Sequence, residues 1–81
     1  MEYTIDYKYF MDPTTSYIKK LYFITIKNKY NKEYVLDYNG KIYMEYLPFI
    51  KYPYHKDTNC YFDINRAKQK IKKFKLQQLL K

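Results

Sequence analysis

Four side chains that can ligate a metal lie close together in the sequence: His55, Asp57, Cys60 and Asp63. Structural zinc sites usually contain cysteine and histidine in pairs at short fixed spacings. This segment holds the chain's only histidine and its only cysteine. We therefore expect no metal and no cofactor, with His55 an exposed loop residue and Cys60 a small buried hydrophobic residue.

A nucleophile–base pair formed by Cys60 and His55 would be a second use of the same residues. Covalent catalysis also needs donors for the developing oxyanion, which a glycine-rich loop often supplies, and Gly40 is the only glycine in the chain. The three acids within residues 33–45 are expected to balance lysines on a solvated strand surface rather than to form a nuclease centre. The sequence thus predicts a protein that is not an enzyme.

The strongest chemical signal is positive charge near the end of the chain. Residues 66–81 hold seven of the sixteen Lys and Arg residues and no acid, whereas residues 1–65 hold nine lysines and all eight acids. Such a field attracts polyanions, although a solvated helix face has the same composition. A membrane surface is not expected as a partner because the predicted apolar stripe is narrow and tryptophan is absent. The predicted basic face comprises Arg66, Lys68, Lys70, Lys72, Lys73 and Lys75. At about 100° per residue, Arg66, Lys70, Lys73 and Lys81 lie on one flank of the predicted helix, and Lys68, Lys72 and Lys75 lie on the other.

Tyrosine is unusually abundant, with 13 Tyr and 5 Phe among 81 residues. Aromatic rings beside lysines can stack on single-stranded bases or anchor a protein interface, but they also cover sheets. Most are expected to cover the sheet under a helix. The candidate stacking sets are Tyr3, Tyr7, Tyr9, Tyr43 and Tyr46 on strands, and Phe49, Tyr52 and Tyr54 in a loop.

Alternation of apolar and polar residues predicts the first two strands. Tyr3, Ile5, Tyr7 and Tyr9 share one face of a strand over residues 2–11. Residues 21–24 are all apolar, which predicts a central strand over residues 18–28 that is covered on both faces.

Asn39-Gly40 lies between two further alternating runs and predicts a hairpin with a type I′ turn, joining strands over residues 33–38 and 41–47. Prolines at 48 and 53 predict a loop after this hairpin. A short fifth strand is expected over residues 60–62. The hairpin register then pairs Tyr38 with Lys41, Asp37 with Ile42, Leu36 with Tyr43, Val35 with Met44 and Tyr34 with Glu45.

A helix is predicted over residues 64–80, with Asp63 as its N-cap. Its core stripe is expected to contain Ala67, Ile71, Phe74 and Gln78, and Ile64 lies nearby. The leucines at its end depart from this stripe. Either the helix kinks or ends near Phe74, or it continues and presents a leucine patch to a second copy or another partner. The possible patch comprises Leu76, Leu79 and Leu80.

These elements predict an α+β fold: a small antiparallel sheet of four to five strands with one C-terminal helix on one face, in a single domain over residues 1–81. The lone Cys60 fits a reducing compartment. Acids in the first twenty residues and the lack of a long apolar run predict neither a signal peptide nor a spanning helix. We therefore expect a cytoplasmic protein.

The chain resembles the short accessory proteins of phages and mobile elements in its size, its amino-acid composition and the order of its predicted elements. The segments that carry the resemblance are "YVLDYNGKIY" in the hairpin and "FDINRAKQKIKKF" at the start of the helix. The resemblance implies a non-enzymatic inhibitor or adaptor that docks on a host protein of nucleic-acid handling or defence. The alternative, from the residues themselves, is direct sequence-nonspecific nucleic-acid binding by the lysine-rich helix, because arginine, the residue best suited to base readout, occurs only once.

Overall fold

The computed structural model describes residues 2–12, 14–46 and 59–80. Four antiparallel strands form one sheet in the order β1-β2-β3-β4, and the helix α1 packs against it, which confirms the predicted α+β fold. No helix in these ranges combines the length and apolarity needed to cross a membrane. The elements are β1 (Glu2–Met11), β2 (Ile18–Lys27), β3 (Glu33–Leu36), β4 (Ile42–Glu45) and α1 (Ile64–Leu79).

β2 is the centre of the sheet. It pairs with β1 along its whole length, from Met11 opposite Ile18 to Glu2 opposite Lys27, and it pairs with β3 on its other edge. Consecutive side chains of a strand point to opposite faces, and in β2 those of residues 23–26 are all buried. The prediction of a central strand covered on both faces is thereby confirmed.

Two apolar clusters lie on the two faces of the sheet. On the α1 face, Ile24, Ile26 and Leu36 pack with Ala67 and Phe74 of the helix. The opposite face carries Phe10, Leu21, Phe23, Val35 and Cys60, with Met44 and Tyr46 half-buried against them. Because the sheet has a core on each face, α1 shields only part of the apolar surface.

The buried face of β1 changes along the strand. Tyr3 and Ile5 are half-buried on the α1 face, as the alternation predicted, but Tyr7 and Tyr9 on the same face are exposed. On the other face Lys8 and Phe10 are buried. The predicted aromatic cover is therefore confirmed only at the end of β1 that lies under α1, where the Tyr3 and Phe74 ring centroids are 6.1 Å apart.

The β3–β4 hairpin exists, but its loop is longer than predicted. Tyr34 does pair with Glu45 and Val35 with Met44, whereas Leu36 pairs with Ile42 across a bulge rather than with Tyr43. The loop runs from Asp37 to Lys41, and only Gly40 in it has a positive φ, +82°. The type I′ prediction is wrong because the Asp37 side chain accepts hydrogen bonds from the amides of residues 39 and 41, which stabilises a wider turn.

Residues 60–62 do not form a full strand. Tyr61 makes a single antiparallel bridge with Tyr22 of β2, closed by two hydrogen bonds of 2.7 and 2.8 Å between their backbones. β3 pairs only with residues 25–27 of β2, so the same edge of β2 is open beside Tyr22. The bridge to Tyr61 forms at this open edge. This contact brings the start of α1 to the open edge of the sheet.

α1 begins where the sequence predicted, with the Asp63 carboxylate accepting a 2.9 Å hydrogen bond from the amide of Asn65. Ala67 and Phe74 are buried and Ile71 is half-buried, but Gln78 is exposed, so the predicted stripe ends one turn early. The helix continues to Leu79 without ending near Phe74. Of the two alternatives, the continuous helix with exposed leucines is the one observed.

Candidate nucleic-acid interface

One side of α1, the β3–β4 loop and residues 60–62 enclose an open groove of about 730 Å³. We call it the basic groove. Three of its residues are cationic and three are aromatic, and none of those described is acidic. The lining residues are Tyr38, Cys60, Tyr61, Phe62, Arg66, Gln69, Lys70 and Lys73.

The helix places the three cations in a row along one wall. Arg66, Lys70 and Lys73 are spaced one turn apart, so the row extends over about 10 Å at 1.5 Å per residue. Ala67 and Phe74 of α1 pack on the sheet. The row of cations lies beside them on the helix surface and therefore faces the edge of the sheet. Arg66 and Lys73 are exposed and Lys70 is half-buried.

Hydrogen bonds and ring contacts fix the floor of the groove. The Tyr38 hydroxyl donates to the carbonyl of Cys60 over 2.7 Å, and the Tyr38 and Tyr61 rings meet edge to face with centroids 5.1 Å apart. Lys70 Nζ donates to the Tyr38 carbonyl over 3.3 Å. The loop, the bridge residue and the helix are thus joined at one place.

Phe62 contributes an exposed ring beside this floor. Its side chain is 73% exposed, and the Lys19 ammonium lies 5.7 Å from the ring centroid. A phenylalanine this exposed leaves most of its apolar area in water, so a flat apolar ligand that covered it would gain free energy.

The charges of the row are not neutralised by the described part of the chain. None of the residues given positions in 2–12, 14–46 and 59–80 forms an ion pair within 4.0 Å with Arg66, Lys70 or Lys73. Two acids belong to elements that border the groove, and both accept hydrogen bonds from backbone amides: Asp37 of the β3–β4 loop from residues 39 and 41, and Asp63 before α1 from residue 65.

Two groups beside the groove bear on its potential. The Asp63 carboxylate caps the N-terminus of α1 and offsets the positive end of the helix dipole, so the positive charge of the groove comes from the side chains of Arg66, Lys70 and Lys73. Burial, followed by the proximity of Tyr38 and Asp37, raises the pKa of Tyr61 to about 12. Tyr61 is therefore neutral at pH 7 and supplies no negative charge.

The remaining lysines of the predicted basic face lie on the opposite flank of the helix. Lys68, Lys72 and Lys75 are exposed and line no part of the groove. The structure thus divides the six predicted cations of the face into a groove row and an outer row.

The predicted leucine patch is exposed on the part of α1 beyond Phe74. Leu76 is 58% exposed, Leu79 81% and Leu80 84%. They follow the last buried residue of the helix, so the described sheet does not cover them.

The predicted loop set Phe49, Tyr52 and Tyr54 lies outside the described residues, as do His55 and Asp57. Cys60 is buried and the carboxylate of Asp63 caps α1. Across the ranges that have described positions, no group of three histidine, cysteine or acidic side chains is arranged to hold a metal.

Sequence reasoning did not find Tyr38, Tyr61 and Phe62 as groove residues. Each is placed by a contact with a residue distant in the sequence, such as Tyr22 for Tyr61 and Lys70 for Tyr38. A partial signal was present, because Phe62 lies one turn before Arg66 and therefore near the start of the cationic row.

Comparison with protein-family models, with curated proteins and with solved structures gives no match.

Proposed function

We propose that the chain is a non-catalytic binding protein that holds the backbone of a nucleic acid in the basic groove without reading its sequence. The observation that carries this proposal is the row Arg66, Lys70 and Lys73, which is spaced along one wall and has no described carboxylate within 4.0 Å. Phosphates are the ligands that such a row of cations complements.

The composition of the groove supports nonspecific recognition. Lysine ammonium groups act as point charges, whereas specific base readout relies on the bidentate arginine fork, and Arg66 is the only arginine. Gln69 is the only uncharged amide side chain among the described lining residues. Binding would therefore depend on backbone charge much more than on base identity.

Fluorescence anisotropy with a labelled 15-nucleotide oligonucleotide tests the proposal. Three phosphate contacts predict a slope of about −2 for log affinity against log salt, from roughly 0.7 per contact on a single strand. Between 50 and 200 mM salt the affinity should then fall roughly twentyfold. Absence of any complex at 50 mM salt, with neither a single strand nor a duplex, would contradict the proposal.

The exposed leucines support a second candidate function, docking on another protein. This is the inhibitor or adaptor role of the phage and mobile-element accessory proteins that the layout resembles, with a host protein of nucleic-acid handling or defence as its target. Leu76, Leu79 and Leu80 form an apolar surface at the end of a helix that carries six cations and no acid. An acidic apolar surface complements it better than a second copy of this helix, because two copies would bring like charges together.

Leu76→Ser with Leu79→Ser separates this candidate from nucleic-acid binding. If a partner protein docks on the patch, affinity capture from nuclease-treated lysate should recover one stoichiometric protein with the wild type and lose it with the variant. Oligonucleotide affinity should be unchanged in the variant, because neither residue lines the basic groove. Recovery of the same protein with both would exclude the leucine patch as its docking site.

A further inference from the structure

We infer that the basic groove takes single-stranded nucleic acid, with one unpaired base stacked on the ring of Phe62. This inference rests on the proposed function and specifies its ligand. Its basis is that the exposed ring of Phe62 lies in the same groove as the cationic row. Binding of phosphates by charge alone would not need an exposed aromatic ring there.

Phe62 is suited to stack on a base. It precedes Asp63, the N-cap of α1, and it lines the same groove as Arg66. The Lys19 ammonium lies 5.7 Å from the centroid of this ring, so a cation and an aromatic ring are next to each other here. A base on the ring and its phosphate near an ammonium would both find a partner here.

The cations and the ring lie at a spacing that a flexible strand can follow. Residues 62 and 66 are four positions apart, and further cations follow at 70 and 73. At 1.5 Å per residue along α1, the steps after Arg66 are about 6 and 5 Å. A single strand can bend to place successive phosphates along this row while its first base turns toward Phe62.

Double-stranded nucleic acid is not expected to stack on Phe62. Paired bases are stacked on one another inside the double helix, so their faces are not available to a side chain, whereas an unpaired base presents its face to an aromatic ring. The Tyr38 hydroxyl donates to the Cys60 carbonyl and the Tyr38 ring meets the Tyr61 ring, which fixes the floor of the groove beside Phe62. The ring of Phe62 therefore favours a single strand over a duplex of the same length and charge.

The test measures the anisotropy of a labelled deoxythymidine 15-mer, the matching blunt duplex and heparin, at 50 mM salt. Phe62→Ala is expected to weaken single-strand binding roughly tenfold and to leave duplex and heparin binding unchanged. Phe62→Tyr should retain binding and Phe62→Leu should lose it, since stacking requires a ring rather than apolar area alone.

Tyr30→Ala is the matched control. Tyr30 is also 73% exposed and has the Lys29 ammonium 5.1 Å from its centroid, but it does not line the groove. Its loss should leave single-strand affinity within about twofold, because only groove rings are expected to stack. Circular dichroism of each variant establishes that the fold is retained.

Three outcomes are informative. Selective loss of single-strand binding in Phe62→Ala, with Tyr30→Ala unaffected, supports the inference. Equal binding of single strand and duplex that is insensitive to Phe62→Ala overturns it and leaves the proposed function standing. No binding of any of the three polyanions at 50 mM salt overturns both.

Discussion

Gly40 lies so close to Phe74 that a Cβ atom built on the glycine would be 2.8 Å from Cδ1 of the ring. The β3–β4 loop therefore rests directly on the last buried residue of α1. Tyr38, which belongs to the same loop, accepts the hydrogen bond from Lys70 and lines the basic groove. The contact thus holds the loop that carries Tyr38 against the helix that carries Lys70.

Replacement of Gly40 by alanine should destabilise the protein by about 2–5 kcal/mol. A left-handed backbone conformation costs an L-residue about 1–2 kcal/mol, and overpacking against Phe74 adds about 1–3 kcal/mol more. Asn39→Ala is the control and should change the free energy of unfolding by under about 0.5 kcal/mol, because Asn39 is exposed and does not have a positive φ. Urea unfolding measures both. In a type I′ turn Asn39 would also have a positive φ, and both variants would then lower the free energy of unfolding.

Phe74→Ala should cost about 3–5 kcal/mol, since the side chain is only 3% exposed and packs on the sheet. This is a large share of the roughly 4–12 kcal/mol expected for a domain of this size. Leu79→Ala, on the same helix but 81% exposed, should change the melting temperature by no more than about 2 °C. Similar losses in the two variants would show that the end of α1 packs as tightly as its middle.

The hydroxyl of Tyr61 is buried and has no hydrogen-bond partner among the described residues. Tyr61→Phe retains the ring and removes a polar atom that is costly to bury, so it should leave stability unchanged or raise it by about 1 kcal/mol. Tyr38→Phe removes the hydrogen bond to Cys60 and should cost about 1 kcal/mol. Chemical denaturation of the pair at pH 7 compares them, and a clear loss in Tyr61→Phe would contradict the account.

Stability should also fall at alkaline pH. Burial raises the pKa of Tyr61 to about 12, whereas in the unfolded chain it is near 10. Between these values the unfolded state loses the proton and the folded state keeps it, so the free energy of unfolding decreases as pH rises from 10 to 12. The decrease should be smaller in Tyr61→Phe. Tyr46 contributes in the same direction, because burial and its hydrogen bond to Asp6 raise its pKa as well. Denaturation midpoints at pH 8 to 11 test this, and parallel curves for the two proteins would rule it out.

Local patterns in the sequence identified the elements of the fold because short-range physics decides them. The alternation over residues 2–11 is the period of a strand, and Asp63 followed by an apolar stripe predicts a helix start. Alternation shows which residues share a face, but not how much of that face the helix covers. The sequence therefore predicts the same cover for Tyr7 and Tyr9 as for Tyr3, although Tyr7 and Tyr9 lie beyond α1 and are exposed.

The candidate site could be predicted only in part. The cationic row follows from helical spacing alone, which places Arg66, Lys70 and Lys73 on one flank of the helix. The bridge between Tyr61 and Tyr22 and the hydrogen bond from Tyr38 to Cys60 join residues that are distant in the sequence, and these contacts place the aromatic floor of the groove. Helical spacing separates the two rows of cations, but only these tertiary contacts determine which row lines a groove.

The most direct test compares two charge reversals of equal size on opposite flanks of α1. Lys70→Glu with Lys73→Glu should reduce affinity for a labelled single-stranded oligonucleotide at 50 mM salt by roughly thirtyfold or more, because two phosphate contacts become repulsive. Lys68→Glu with Lys75→Glu makes the same change of net charge on the outer row and should reduce affinity by less than about fivefold. Equal losses in the two double variants, or none in either, would contradict the assignment of binding to the basic groove.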